Sequence, residues 1–163
     1  MRRIRSRKVV GFEETLDQLL PEWRDAGGWT YNVFFVRKHP FIRLSERVGM
    51  KRILNATFTA LSYLAKPDSN LLLFHDGLAA WRNKKKDNRG YRFSGFSALE
   101  ELMGFLQTEV YYRDSDDHSD NYNIIDETGK WMITFCHEND WFLFAPLSQL
   151  EGLKDKIGAK PEI

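Results

Sequence analysis

The sequence predicts an α+β fold. It reads as one domain over residues 1–163, with a mixed or mainly antiparallel sheet, two or three helices packed on it, and a C-terminal β-meander. Three observations carry this. Residues 122–146 read as three short strands separated by the polar turns Asp126-Glu127-Thr128-Gly129 and Glu138-Asn139-Asp140. Apolar residues recur at helical spacing in separate blocks upstream. Turns this short join antiparallel strands, whereas a parallel crossover needs a dozen residues or more, so no pure parallel winding fits.

The elements follow in order. Residues 1–8 form a basic tail or a first strand. Phe12, Leu16, Leu19, Leu20 and Trp23 share helical spacing, which predicts an amphipathic helix over 12–25 that Pro21 kinks or shortens and Gly27-Gly28 ends. Residues 29–36, WTYNVFFV, are aromatic and β-branched and predict a strand. His39-Pro40 then forces an extended turn. The longest helical signal is 45–65, with Val48, Ile53, Leu54, Thr57, Phe58, Leu61 and Leu64 on its stripe and Ser45 as its cap. The segment from Leu71 begins as a continuous apolar run, Leu71–Phe74, which predicts a central strand over 71–75 buried on both faces. Ser97 and Glu100 have capping-box spacing ahead of a third helix whose inner face is Leu99, Leu102, Met103 and Leu106.

A short strand is expected at 110–112, an acidic loop at 114–121 and strands at 122–125, 131–137 and 141–145. Within 131–137, alternation puts Trp131, Ile133, Phe135 and His137 on one face and Met132, Thr134 and Cys136 on the other. Residues 147–157 suit a final helix, and 158–163 are expected to fray.

A length of 163 residues suits one domain. With 42% hydrophobic and 14% aromatic residues the chain can build a core, and no apolar run approaches the roughly 20 residues of a membrane helix. The basic start MRRIRSRKVV is followed by GFEET rather than an apolar stretch, so no secretory signal is expected. Cys136 is the only cysteine, which excludes an internal disulfide and fits a reducing cytoplasm.

The formal net charge of +1 hides an asymmetry. Residues 1–66 carry 13 Lys/Arg against 6 Asp/Glu, and residues 108–163 carry 5 against 12. The two halves either pack together and offset one another, or offer an acidic and a basic face to partners of opposite sign.

Candidate chemistry is sparse. Cys136 and His137 are neighbours on a strand and point to opposite faces, so they do not form a nucleophile–base pair, and Cys136 is expected to pack as a small hydrophobe. His75-Asp76 and His137-Glu138 each follow a strand. If the two strands end on one edge, two histidines and two carboxylates could converge as a metal or acid–base site, although their spacing matches no metal motif. Asp114, Asp116, Asp117, His118 and Asp120 depart from a calcium loop, with Ser119 where glycine is needed and Ile125 where a bidentate Glu is needed. No phosphate-cradling glycine loop, nucleophile elbow or zincin motif is present. No catalytic residue, metal or cofactor is expected.

Two surfaces remain. Arg82, Lys84, Lys85, Lys86, Arg89 and Arg92 mix with Trp81 and Tyr91. With Arg2, Arg3, Arg5, Arg7 and Lys8 they could bind phosphates while exposed rings stack on bases, or they could form a solvated basic loop. Asp114, Asp116, Asp117 and Asp120 are flanked by Tyr111, Tyr112 and Tyr122, which suits a partner-binding surface with aromatic anchors.

The segment IIDETGKWMITFCHENDWFLFAP resembles the closing hairpins of small bacterial α/β domains, among them immunity proteins that neutralise toxins delivered between competing cells. The resemblance covers about the last quarter of the chain and carries over no site residue. It implies a cytoplasmic, non-catalytic inhibitor that covers the active site of a cognate toxin. An acidic surface would steer such an inhibitor onto a basic cleft. The alternatives are a nucleic-acid-binding module using the 82–92 loop and the N-terminus, and a small enzyme or metal protein centred on His75 and His137.

Overall fold

The computed structural model describes residues 7–8, 12–23, 25, 30–77, 90–95, 97–107, 120–136 and 140–163. The elements run β1 (Arg7–Lys8), α1 (Phe12–Leu19), α2 (Thr30–Val36), β2 (Phe41–Leu44), a 3₁₀ turn at Glu46–Val48, and α3 (Met50–Leu64). They continue with β3 (Leu71–Gly77), β4 (Tyr91–Phe93), α4 (Ala98–Phe105), β5 (Asp120–Asp126), β6 (Met132–Phe135), β7 (Trp141–Phe144) and α5 (Leu147–Ile157). The strands form one sheet in the order β1-β4-β3-β5-β6-β7-β2, antiparallel at every pairing. The α+β class holds. Among the described residues no parallel pair occurs, and β5, β6 and β7 are the expected meander.

Strand alternation divides the core into two layers. On the first face Leu71, Leu73, Ile124, Ile133, Trp141 and Leu143 pack with Ile53, Leu61 and Leu64 of α3, Leu102 of α4 and Leu150, Leu153 and Ile157 of α5. On the second face Leu72, Phe74, Ile125, Met132, Phe142 and Phe144 pack with Leu16 of α1, Leu20 just beyond it, and Val33 and Phe34 of α2. Burying both faces is what the unbroken apolar run Leu71–Phe74 requires, because adjacent side chains enter opposite layers. The expected division of 131–137 is met by Trp131 and Ile133 in the first core and Met132 and Cys136 in the second.

Several expectations are corrected. The segment 29–36 contains a helix, α2, and not a strand. Aromatic and β-branched residues favour half-buried packing surfaces more than any one backbone geometry, and a short apolar run does not separate the two. Here the helix sets Phe34 against Phe144 at 5.2 Å between ring centroids. The predicted helix 12–25 ends at Leu19, before Pro21. The predicted helix 45–65 is divided by Gly49, whose φ of +82° suits a residue without Cβ. Gly49 therefore holds the cap position of α3, and Ser45 does not. Phe58 lies on the solvent side of α3. At α4 the Ser97 hydroxyl donates to the Glu101 carboxylate at 2.7 Å, so the Ser97–Glu100 capping box does not form. β2 is an additional strand at the sheet edge. The tail expected to fray is held at Glu162, which bridges Phe41. The strand expected at 110–112 lies outside the described residues.

The turn from α2 into β2 brings a pH dependence. His39 meets the Phe34 ring edge-on at 5.2 Å. Partial burial, and then the Arg37 charge, hold its pKa below the ordinary histidine value. The unfolded chain thus binds a proton at a pH where the folded chain does not. Stability is unaffected well above the ordinary histidine pKa of about 6.5 and falls as the pH drops through it. His39→Leu is expected to remove that part of the slope. Urea midpoints of both chains at neutral and mildly acidic pH check this, and identical slopes refute it.

Candidate functional site

The two ends of the sheet are built differently. At one end the connections are short and tied together. Residues 65–70 turn with the Lys66 N–H donating to Ser69 Oγ at 2.9 Å. Asn70 Nδ2 donates to Glu127 Oε2 at 2.7 Å, and Ser94 Oγ donates to Asn70 Oδ1 at 2.6 Å. Asp126 accepts from Thr128 N–H at 2.9 Å and from Trp131 Nε1 at 3.1 Å. Side chains from three connections close this end.

The opposite end receives the long connections. β2, β3 and β6 run toward it, and β4, β5 and β7 start from it. The register sets Leu44, Trp141, Phe135, Tyr122 and His75 in one row across five strands. Just beyond that row Gly77 pairs with Asp120. The chain therefore enters the basic stretch from β3 beside the point where it leaves the acidic stretch into β5. It returns from the basic stretch at β4, where Tyr91 lies opposite Leu73 and Arg92 opposite both Leu72 and Arg7. At this end Cys136 N–H also donates to Asp140 O at 2.7 Å.

The topology thus sets Gly77, where the chain leaves β3 for the basic stretch, beside Asp120, where it enters β5 from the acidic stretch. Of the partner-binding candidates, Tyr111, Tyr112, Asp114, Asp116 and Asp117 lie outside the described residues. Asp120 is placed by its backbone as the first residue of β5. The half-buried Tyr122 packs on the first core, which makes it a support under the end rather than a fully exposed anchor. Of the basic candidates, Arg82, Lys84, Lys85, Lys86 and Arg89 lie outside the described residues, and Arg92 is exposed on β4. The backbone of His75 is in β3, and His137 lies outside the described residues. β3 and β6 do end on the same edge, with β5 between them. Cys136 sits buried in the second core as a small apolar group. No group of three or more His, Cys, Asp or Glu suited to a metal ion occurs among the described residues.

One element of this end was hidden in the sequence. Arg43 of β2 contacts Asp140 at 2.5 Å, and its guanidinium lies 5.7 Å from the centroid of the Phe142 ring. The two charges are 97 residues apart in the chain, so no local spacing signals the pair. Exposed Arg47 and Lys51, at the turn into α3, add cations at the same end.

No family model, curated protein or solved structure matches this chain. Among the described residues, no helix is long and apolar enough to cross a membrane.

Proposed function

We propose that this protein is a non-catalytic protein-binding module, an immunity-type inhibitor that neutralises a cognate bacterial toxin by covering its active site through the open end of the sheet. The observation that carries the reading is the Gly77–Asp120 pairing. It sets Asp120, the residue at which the acidic stretch meets β5, at the end with the long connections, while side-chain hydrogen bonds close the other end. A rigid scaffold that presents variable connections on one side is the usual arrangement for binding. An acidic surface there steers onto a basic cleft and needs no catalytic group.

A pull-down with the tagged protein from its source cells, with and without nuclease, tests the reading and names the partner. One stoichiometric protein that survives nuclease supports it. Replacing Asp114, Asp116, Asp117 and Asp120 together with Asn is then expected to slow association at least about tenfold at low salt and to flatten its salt dependence. Unchanged association would remove the acidic stretch from the surface.

One observation favours a second reading. Arg7 lies directly opposite Arg92 across the β1–β4 pair, a like-charge placement that costs stability unless something offsets it. A nucleic-acid backbone would do so. On this reading the retained material is nuclease-sensitive, and replacing Lys84, Lys85 and Lys86 reduces both affinity and its steepness against salt.

A further inference from the structure

The free edge of the sheet carries an inference independent of the function proposed above. Among the described residues β2 is the last strand and pairs with β7 on one side only. Along a strand in a sheet, backbone groups point alternately to one side and the other. Phe41 sends its pair outward, away from β7. Its N–H donates to Glu162 O at 2.9 Å and its C=O accepts from Glu162 N–H at 2.7 Å. Arg43 has the same parity, so its N–H and C=O also face outward. The bridge at Glu162 is isolated and does not extend to Arg43. Beside this edge, Phe35 and Val36 are 39% and 74% exposed, and Phe35 meets the Phe41 ring edge-on at 5.4 Å.

We propose that residues 158–162 are a strap that closes the β2 edge, and that the occupant it excludes is the β2 edge of a second copy of this chain. The geometry is self-complementary. A two-fold pairing centred on Ile42 sets Phe41 of each copy opposite Arg43 of the other, and both residues carry the outward groups such a pair exchanges. It also sets a guanidinium beside a phenyl ring, a favourable contact. A pairing centred on Arg43 would set like charges opposite and is disfavoured. With the two-fold axis normal to the sheet, both copies keep the α1–α2 layer on the same side. The exposed Phe35 and Val36 of the two copies then come together beside the joint.

The strap and the second copy compete for the same groups on Phe41. The strap wins in the intact chain because it is tethered, so its effective concentration at the edge is high. Unguarded edge strands are prone to this kind of pairing, and a covering segment is one of the ways proteins prevent it.

The test is the molar mass in solution, by light scattering across a concentration series. The chains compared are the intact one, one lacking residues 161–163, and Glu162→Pro, which removes the N–H donated to Phe41. The intact chain is expected to be a monomer. The two altered chains are expected to dimerise at least about tenfold more tightly, as the loss of one or two hydrogen bonds per copy predicts. Adding Arg43→Pro to either should restore the monomer, because it deletes an outward N–H and leaves the β2–β7 ladder intact. Circular dichroism melts confirm that each chain is folded, and amide exchange at Arg43 reports the edge without a substitution there. The proposal is overturned if the folded altered chains stay monomeric, if the intact chain dimerises equally well, or if the Arg43 amide stays unprotected in the dimer.

Discussion

Trp141→Ala is expected to lower the unfolding free energy by about 3–5 kcal/mol, the range for removing a large buried aromatic ring. The ring is fully buried on the first face, where Trp141 pairs with Leu44 on one side and Phe135 on the other. It also links two layers. Trp141 Nε1 donates to Thr57 Oγ1 at 3.0 Å, and the Thr57 hydroxyl donates in turn to the Ile53 carbonyl at 2.8 Å. The hydroxyl thus both accepts and donates, and it ties α3 to β7. Thr57→Val keeps the shape and removes the acceptor, which leaves an indole N–H buried without a partner at a cost of about 1–3 kcal/mol. Trp141→Phe removes the donor as well. In a cycle of Thr57→Val and Trp141→Phe, the double variant should therefore lose less than the sum of the singles. Urea denaturation measures all four chains. Additive losses would show that the hydrogen bond contributes nothing beyond the packing of the ring.

Neither residue was hidden in the sequence. Thr57 fell on the apolar stripe of α3 and Trp141 opened an aromatic strand, and both are buried. What one-dimensional pattern does not carry is which element lies opposite which. Strand alternation divided the two faces of β6 correctly, because a period of two follows from backbone geometry alone. Residues 29–36 show the limit. Their composition suits burial, but only Phe144 and Phe142 waiting on the second face decide that a helix delivers it. β2 escaped notice for a related reason. Four residues with Arg43 among them make no pattern, and the strand exists because β7 offers an edge. The helix starts also depended on detail below sequence resolution. Gly49 takes a backbone conformation that displaces Ser45, and Ser97 bonds a carboxylate one residue further on than the capping box requires.

The candidate site was legible as composition and not as place. The basic and acidic stretches stood out as charge runs separated by a helix and some twenty residues. That the chain leaves for the basic stretch beside the point where it returns from the acidic one follows from β3 and β5 being neighbours in the sheet, a non-local pairing with no local signal. The convergence of His75 and His137 depended on the same fact. β3 and β6 do share an end, but β5 lies between them.

Asp126→Ala is expected to cost about 2–3 kcal/mol, because a buried carboxylate that accepts several bonds leaves its donors stranded. Asp126 is buried where β5 turns into β6, and it accepts from Thr128 N–H, Thr128 Oγ and Trp131 Nε1. Thr128 is exposed and recovers water. Trp131 is buried in the first core, and its N–H does not. Asp126→Asn should recover only part of the loss, since its amide N–H₂ must face one of the same donors. In a Trp131→Phe background, with one donor gone, the Asn substitution should cost less than in the native chain. Equal costs in both backgrounds would remove the Trp131 bond from the account. This turn also separates stability from function. It sits at the closed end of the sheet, opposite the end where Gly77 pairs with Asp120. If binding belongs to the open end, the folded fraction of Asp126→Ala should associate with a partner at the native rate, and lost binding should follow only the fraction unfolded. A folded Asp126→Ala chain that binds more slowly would mean either that the turn sets the register carrying Asp120 and Tyr122 to their places, or that the closed end itself meets the partner. A one-residue slip between β5 and β6 would exchange the two faces of the slipped strand and the two cores would lose their packing. The melting cooperativity of the same sample therefore tells the two apart.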